Sequence, residues 1–465
     1  MQMAATGSAS AALAATYHGA GAKAAAQTNR SAGITVEAIG AYDVERLNQV
    51  LTTELAEFSD FEITFPPAQN GVKLYRVTYP SLVPEQGNRP TLASGLIAAP
   101  EVDATTLPVL SYQHGSVFGK QEVPSYLEQS METRLMVANF AGQGYLVIGA
   151  DYFGKGLSLE PNSYIVKAST QQACVDMLFA AQAVSGDLGV ELGPLFLSGW
   201  SQGGWSAFAF LQKLETLGIP VTAAAVASGP TDLYATVNRW ANNWQPIDAA
   251  YIAPLLAIML HAFEAYYDMP GFTTTAIKPE YQQIASDLYT NARGYEELVA
   301  EFPARLPDLL QETFMAAVAR GEDRFSHMLQ ESHGYRWRAV TPQRVYYGGS
   351  DEVTPAFIGQ LPVGYQEVVG GAPATAVDAG AKADHRGVFL FGMLPRLLRR
   401  YNLSGSFFNS CLLFLLDVPC LRALSGNTDR HGAWAPAGAA NSFKPGAPPM
   451  WPRRRAWSTS AWRPD

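Results

Sequence analysis

A chain of 465 residues, 48% of them hydrophobic, is long enough to bury one large core with an inserted subdomain, or to form two domains. A net charge of -9 and the lack of a basic stripe argue against nucleic acid as a partner. No window supplies the roughly 20 unbroken apolar residues of a transmembrane segment, and three cysteines (Cys174, Cys411, Cys420) do not make a disulfide framework.

Residues 1–40 read as a low-complexity N-terminal segment, rich at first in Ala, Gly, Ser and Thr. Met1-Gln-Met-Ala lacks the basic start of a signal peptide, so a truncated or processed start is expected. From Tyr42 to Phe58, apolar residues recur at helical spacing (Val44, Leu47, Val50, Leu51, Leu55, Phe58) and predict a helix. Strands are expected at Glu62–Phe65 and Val72–Tyr79, joined by a turn at Asn70-Gly71, and again at 91–98 and 107–112.

The buried strand at 107–112 ends in His114-Gly115-Ser116-Val117-Phe118-Gly119. A glycine just beyond a central strand lets the loop curl and aim a backbone N–H into a site. Either Ser116 or Val117 is expected to supply one such donor, with His114 a structural ring. A helix follows at 131–143, then a strand at 145–149 running into Asp151, which is read as structural. The helix at 169–185 carries Cys174, a buried thiol by its apolar pattern.

Residues 195–197 form an apolar run of strand type, and a helical pattern begins at Gly203. Between them Gly199-Trp200-Ser201-Gln202-Gly203 fits G-x-S-x-G, the turn that lifts a serine above the carboxyl edge of a parallel sheet. Gly199 and Gly203 sit where a Cβ would collide with backbone. The Gln202 N–H, at the start of the helix, is the second expected donor to an oxyanion.

After a strand at 221–228, with Asp232 as a capping residue, the pattern from Trp240 to Trp337 is helical throughout. A block of this kind between sheet strands reads as a cap over the carboxyl edge, here 240–338, dividing the core into 41–239 and 339–425. Trp200, Trp240, Trp244, Phe263 and Phe118 are candidate pocket lining, the cap aromatics serving otherwise to hold the cap to the core. Strand logic resumes at Arg344-Val-Tyr-Tyr347 and presents Asp351 in a Gly-rich loop, beside Glu352. Ala383-Asp-His-Arg-Gly387 then places His385 in a loop before an apolar helix, Val388–Leu398, which Pro395 kinks or shortens. An irregular tail, 426–465, holds Trp434, Trp451, Trp457, Trp462 and a basic run at Arg453. Cys411 and Cys420 would pair only in an oxidising compartment.

A serine hydroxyl is a weak nucleophile and needs a base within hydrogen-bond reach, itself oriented by a third group. His385 is that base by elimination among seven histidines, and Asp351 the acid. Asp384 adjoins the ring too closely to reach its far nitrogen. The order Ser201, Asp351, His385 suits an α/β fold with a mainly parallel, doubly wound sheet and a helical cap inserted before the acid-bearing strand. No metal or organic cofactor is required, and no metal-ligand spacing is present.

Gly199-Trp200-Ser201-Gln202-Gly203, Gly349-Ser350-Asp351 and Asp384-His385 together resemble the α/β-hydrolase superfamily. Tyr112-Gln-His-Gly-Ser116, Gly149-Ala-Asp-Tyr-Phe-Gly154 and the helical insert are similar, more narrowly, to its bacterial and fungal secretory lipase/esterase branch, over residues 60–400. The resemblance implies hydrolysis of carboxylic esters, small or polymeric, through an acyl-enzyme, often outside the cell. A lipase, a peptidase or amidase, an acyltransferase and a catalytically silent binding protein are the alternatives on the same fold. Oligomeric state is not encoded in any of these patterns.

Overall fold

The computed structural model describes residues 33–393. Expectations for 1–32, for Pro395 and the end of its helix, for Cys411 and Cys420, and for the tail lie outside the described residues.

Nine strands form one sheet, in the order β1-β2-β3-β5-β4-β6-β7-β8-β9. They are β1 (Thr35–Tyr42), β2 (Val72–Val83), β3 (Arg89–Pro100), β4 (Thr106–Gln113), β5 (Leu146–Ala150), β6 (Glu191–Trp200), β7 (Ala223–Ala227), β8 (Gln343–Tyr347) and β9 (Ala374–Asp378). From β5 to β9 every pairing is parallel, whereas β1, β2, β3 and β5 pair antiparallel. The inner strands β5 and β7 are buried on both faces, which is why they read as unbroken apolar runs.

Helices cover both faces. On one lie α1 (Val44–Gln49), which continues through a π-turn at Val50–Glu54 into Leu55–Phe58, and α2 (Met131–Phe140). Their Leu47, Val50, Leu51, Leu135 and Met136 pack with Leu74, Leu96 and Val147 of the sheet. The opposite face carries α3 (Lys167–Val184) and α4 (Gln202–Thr216), with Leu178, Phe208 and Leu211 against Ile97, Ile148 and Leu197. Each such side chain, fully buried, contributes about 1.5–3 kcal/mol.

Between β7 and β8 the chain leaves the sheet for a helical insertion. It comprises α5 (Leu233–Asn242), α6 (Ile252–Tyr266), α7 (Gln282–Thr290), α8 (Glu312–Arg320) and α9 (Arg324–Glu331), with short helical turns between them. Phe263, Phe272, Phe314 and Phe325 form an aromatic cluster at its centre, with ring centroids 5.2–6.0 Å apart. After β8 come α10 (Ala356–Val369), β9 and α11 (His385–Met393). This is an α/β-hydrolase fold with a helical cap.

Four features differ from the sequence reading. Glu62–Phe65 is not a strand, because Pro66-Pro67 remove two backbone donors and the segment instead packs Phe65 into the core beside α1. β1 falls largely inside the segment read as low-complexity. As an exposed edge strand with a register shift at Gly40, it has no apolar alternation to betray it. The second half of the core also contains α10 and β9, neither of which the pattern suggested. Finally, α11 begins at His385, three residues earlier than expected, because the Asp384 side chain caps the Gly387 N–H at 2.7 Å.

Candidate active site

The ends of β4, β6, β7 and β8 meet at the carboxyl edge of the sheet, and the sequence-predicted residues lie on the loops that leave them. Ser201 stands between β6 and α4 with φ 56° and ψ −123°, a conformation that L residues seldom adopt. Its N–H donates to the Ala227 carbonyl at 2.9 Å, which ties the turn to β7. The flanking glycines are required by close approach. A Cβ on Gly199 would fall 2.1 Å from the Gly203 oxygen, and one on Gly203 would fall 1.9 Å from the Gln113 oxygen. The Gln202 N–H is the first of α4 and has no acceptor within the helix.

Asp351 and His385 come together directly. His385 Nδ1 lies 2.9 Å from Asp351 Oδ1, with both side chains buried. That same oxygen accepts from the Val353 and Thr354 N–H groups at 3.0 and 2.8 Å, and Oδ2 accepts from the Ser228 hydroxyl at 2.5 Å. Burial alone raises the Asp351 carboxyl. The His385 charge and hydrogen bond, with Ser228 and the Thr354 N–H, overcome that and hold it below the ordinary range. For His385 burial works downward, and Asp351, then Glu352 and Asp384, bring the imidazole above its ordinary value.

Glu352, the rival of Asp351 in sequence, has another place. Its Oε2 accepts the His385 backbone N–H at 2.9 Å, and its Oε1 the Tyr251 hydroxyl at 3.1 Å, just before α6 of the cap. Trp200 also reaches the base: its Nε1 donates to the His385 carbonyl at 3.0 Å and its ring lies 5.0 Å from the imidazole. Thus the residue preceding Ser201 packs on the residue predicted as its base. The Ser201 hydroxyl and His385 Nε2 make no hydrogen bond with each other among the described residues. Such bonds often tighten only when substrate is present. With Nδ1 facing a carboxylate, Nε2 is left as the proton acceptor of the ring.

Gly115, Ser116, Val117 and Phe118 follow β4. The Gly115 N–H donates to Glu132 Oε1 at 2.8 Å, Ser116 Oγ bonds the Tyr164 hydroxyl at 2.7 Å, and Phe118 stacks on Tyr295 of the cap at 3.9 Å. Glu132 is buried, also accepts from the Tyr112 hydroxyl, and burial pushes its carboxyl up to about 7. His114 is wedged between the Gly115 and Asp151 carbonyls and stacked on Tyr152, and burial pushes it down to about 4, as suits a structural ring. Asp151 accepts from Ser94 and from the Ser125 N–H, and Asp232 caps α5.

Of the remaining aromatics, Trp240 is buried and donates to the Val353 carbonyl at 2.9 Å, so it braces the Asp351 loop. Trp244 is partly buried against the cap, and Phe263 lies inside the cap cluster. Ser228, Thr354, Glu132, Lys155 and Tyr164 went unread in the sequence. Ser228 stood at the end of a strand, Thr354 in the loop that presents Asp351 and Lys155 in the run after Asp151, but no pattern gave any of them a role. Among the described residues no group of three or more His, Cys, Asp or Glu is placed to hold a metal, and no helix is long and apolar enough to cross a membrane.

No protein-family profile matches the chain, and no curated protein matches it in sequence. Solved structures do resemble it. A Legionella pneumophila protein provisionally described as a hydrolase superposes with a TM-score of 0.69 at 21% identity, over 77% of this chain and 94% of that one. The rice cell wall degrading esterase LipA of Xanthomonas oryzae gives 0.66 at 21% identity, over 78% and 95%. Candida antarctica lipase A in its closed state gives 0.56 at 16% identity, over 78% and 80%. At these identities the likeness is one of fold.

Proposed function

We propose that the protein is a serine hydrolase of carboxylic esters acting through an acyl-enzyme, on short-chain, aryl or polyester-type substrates. The observation that carries this reading is the buried His385–Asp351 pair beside the strained turn that bears Ser201. The likeness to LipA and to lipase A adds support for esters as the substrate class.

In this mechanism His385 Nε2 takes the Ser201 proton as Oγ attacks the ester carbonyl. Asp351 keeps the ring in the useful tautomer and stabilises the imidazolium. Charge on the carbonyl oxygen is met by the Gln202 N–H and by an N–H of Ser116 or Val117. The tetrahedral adduct collapses, the alcohol leaves with the His385 proton, and the base then activates water to release the acid. No step calls on a cofactor.

Covalent labelling with an organophosphonate, mapped by peptide analysis, tests the nucleophile: a label on Ser201 is expected, and a label elsewhere or none refutes the assignment. A p-nitrophenyl ester series of rising acyl length tests the substrate, with a maximum at about two to four carbons expected for an esterase. A maximum at long chains would instead indicate a lipase, transfer to an added alcohol an acyltransferase, and faster turnover of anilides an amidase.

A further inference from the structure

The segment from Gly115 to Gly119 has no regular structure, yet most of its peptide groups have fixed partners. The Gly115 N–H belongs to Glu132, and the Phe118 and Gly119 N–H groups donate to Glu122 Oε2 at 3.2 and 2.9 Å. On the other side, the carbonyls of Val117, Phe118 and Gly119 converge on Lys155 Nζ at 3.1, 2.9 and 3.0 Å. In a trans peptide the C=O of one residue and the N–H of the next point in opposite directions. An ammonium on one side and a carboxylate on the other therefore lock the planes between 117 and 119. What is left over is the N–H of Ser116 and of Val117, neither of which has an acceptor among the described residues.

Lys155 is buried, with 4% of its surface exposed, and makes no ion pair among the described residues. A charge buried against neutral carbonyls alone is costly, and an apolar side chain of similar size would serve packing better. The arrangement makes sense if those carbonyls must be gathered.

We infer that Lys155 is a positioning residue: by holding the 117–119 carbonyls, its ammonium keeps the Ser116 and Val117 N–H groups free and turned toward the oxyanion of the reacting ester. The inference rests on the serine-ester reading above. Burial lowers the Lys155 pKa to about 8, Lys120 adding to that shift and Glu122 opposing it. The charged and titratable groups facing it are those two and His114, whose protonation the Lys155 charge opposes, beside the three carbonyls. A neutral amine has only two N–H groups and a lone pair, so it cannot serve three carbonyls. Turnover should therefore fall through an alkaline limb near pH 8.

The test is initial-rate kinetics on p-nitrophenyl acetate from pH 6 to 10, with phosphonate labelling rates alongside. For Lys155→Met we expect kcat to drop about 30-fold or more, KM to stay within about 3-fold, and the alkaline limb to vanish. Phosphonylation should slow in parallel, since it too passes through a tetrahedral centre. A purely structural lysine would instead lower melting temperature and yield and leave the limb in place. Glu122 is exposed, so Glu122→Gln should fold, and removing its charge should move the limb to lower pH. A parent kcat constant from pH 7 to 10, a limb unmoved by Glu122→Gln, or a Lys155→Met enzyme within about 3-fold of the parent would each overturn the inference. If the parent is labelled at Ser201 and these results appear, only this inference falls. If the parent is not labelled at all, the serine reading falls with it.

Discussion

Two loops at the same sheet edge are held by buried charge, and they use it in opposite ways. In the loop after β8, Asp351 meets an ionisable partner, four donors surround its two oxygens, and its pKa and that of His385 move apart. At the loop after β4, the Lys155 ammonium hydrogen-bonds only neutral carbonyls, and burial brings its pKa down to about 8. Asp351 holds its charge to lower pH and His385 keeps its proton to higher pH than either would alone, whereas Lys155, with no ion pair among the described residues, gives its proton up more readily. The first loop is thereby suited to proton transfer at a fixed base, and the second to holding backbone in place below a pH limit.

The largest expected effect breaks the comparison at its root. Ser201→Ala should lower kcat by about 10⁴-fold or more and leave the melting temperature nearly unchanged. Parental activity in that variant would mean that neither loop serves a serine at all. Asp351→Asn comes next, with a loss of about 10⁴-fold expected in kcat because the imidazole loses the partner that selects its tautomer. Its stability effect has a definite sign. The Asp351 carboxyl is held low in the fold, so its contribution is present above its ordinary pKa and fades as pH falls through the folded value. His385 is raised, so its share is present below its ordinary value and fades as pH rises through the folded one. Chemical denaturation of parent and Asp351→Asn at pH 3, 5 and 8 checks this: the difference should be larger at pH 5 than at either pH 3 or pH 8.

How far the sequence revealed these loops depends on the distance between partners along the chain. Gly199 to Gly203 was legible because its constraint is local: two glycines and a serine must share one sharp turn. The inner parallel strands were legible as apolar runs, and the cap as a long helical interval between them. Asp351 was legible as a residue type at a strand end and His385 as one in a loop before an apolar helix, although the extra turn of α11 before Val388 was not, since a capping Asp384 looks the same in a loop. Ser228 and Asp351 lie 123 residues apart, and Lys155 lies 36–38 residues from the carbonyls it gathers. Such pairings leave no periodic trace. The edge strands β1 and β9 are exposed over much of their length, so the alternation that marks a half-buried strand is weak in both.

A smaller effect sharpens the comparison by loosening one donor in the paired loop. Ser228 adopts φ 48° and spends its hydroxyl on Asp351 Oδ2. Ser228→Ala should lower kcat by about 5- to 10-fold and destabilise the fold by about 1–2 kcal/mol, as expected for a buried carboxylate losing one donor. An unchanged kcat with the stability loss intact would show that the three donors on Oδ1 suffice to orient the base.

The smallest effect concerns Glu352, which stands between the paired loop and the cap. It holds the His385 N–H and the Tyr251 hydroxyl, and the Ala249 N–H donates to its carbonyl at 3.0 Å. Its charge is one of those that raise His385 after Asp351, so replacing it by a neutral isostere should lower the pKa of the free base. Activity needs the neutral imidazole and is lost as pH falls through that pKa. In Glu352→Gln the acid limb of kcat/KM should therefore move to lower pH, while kcat at pH 8 stays within about 3-fold. A limb that stays in place while KM rises would show that Glu352 matters through Tyr251 and the position of the cap, and that the charge set around His385 is complete without it.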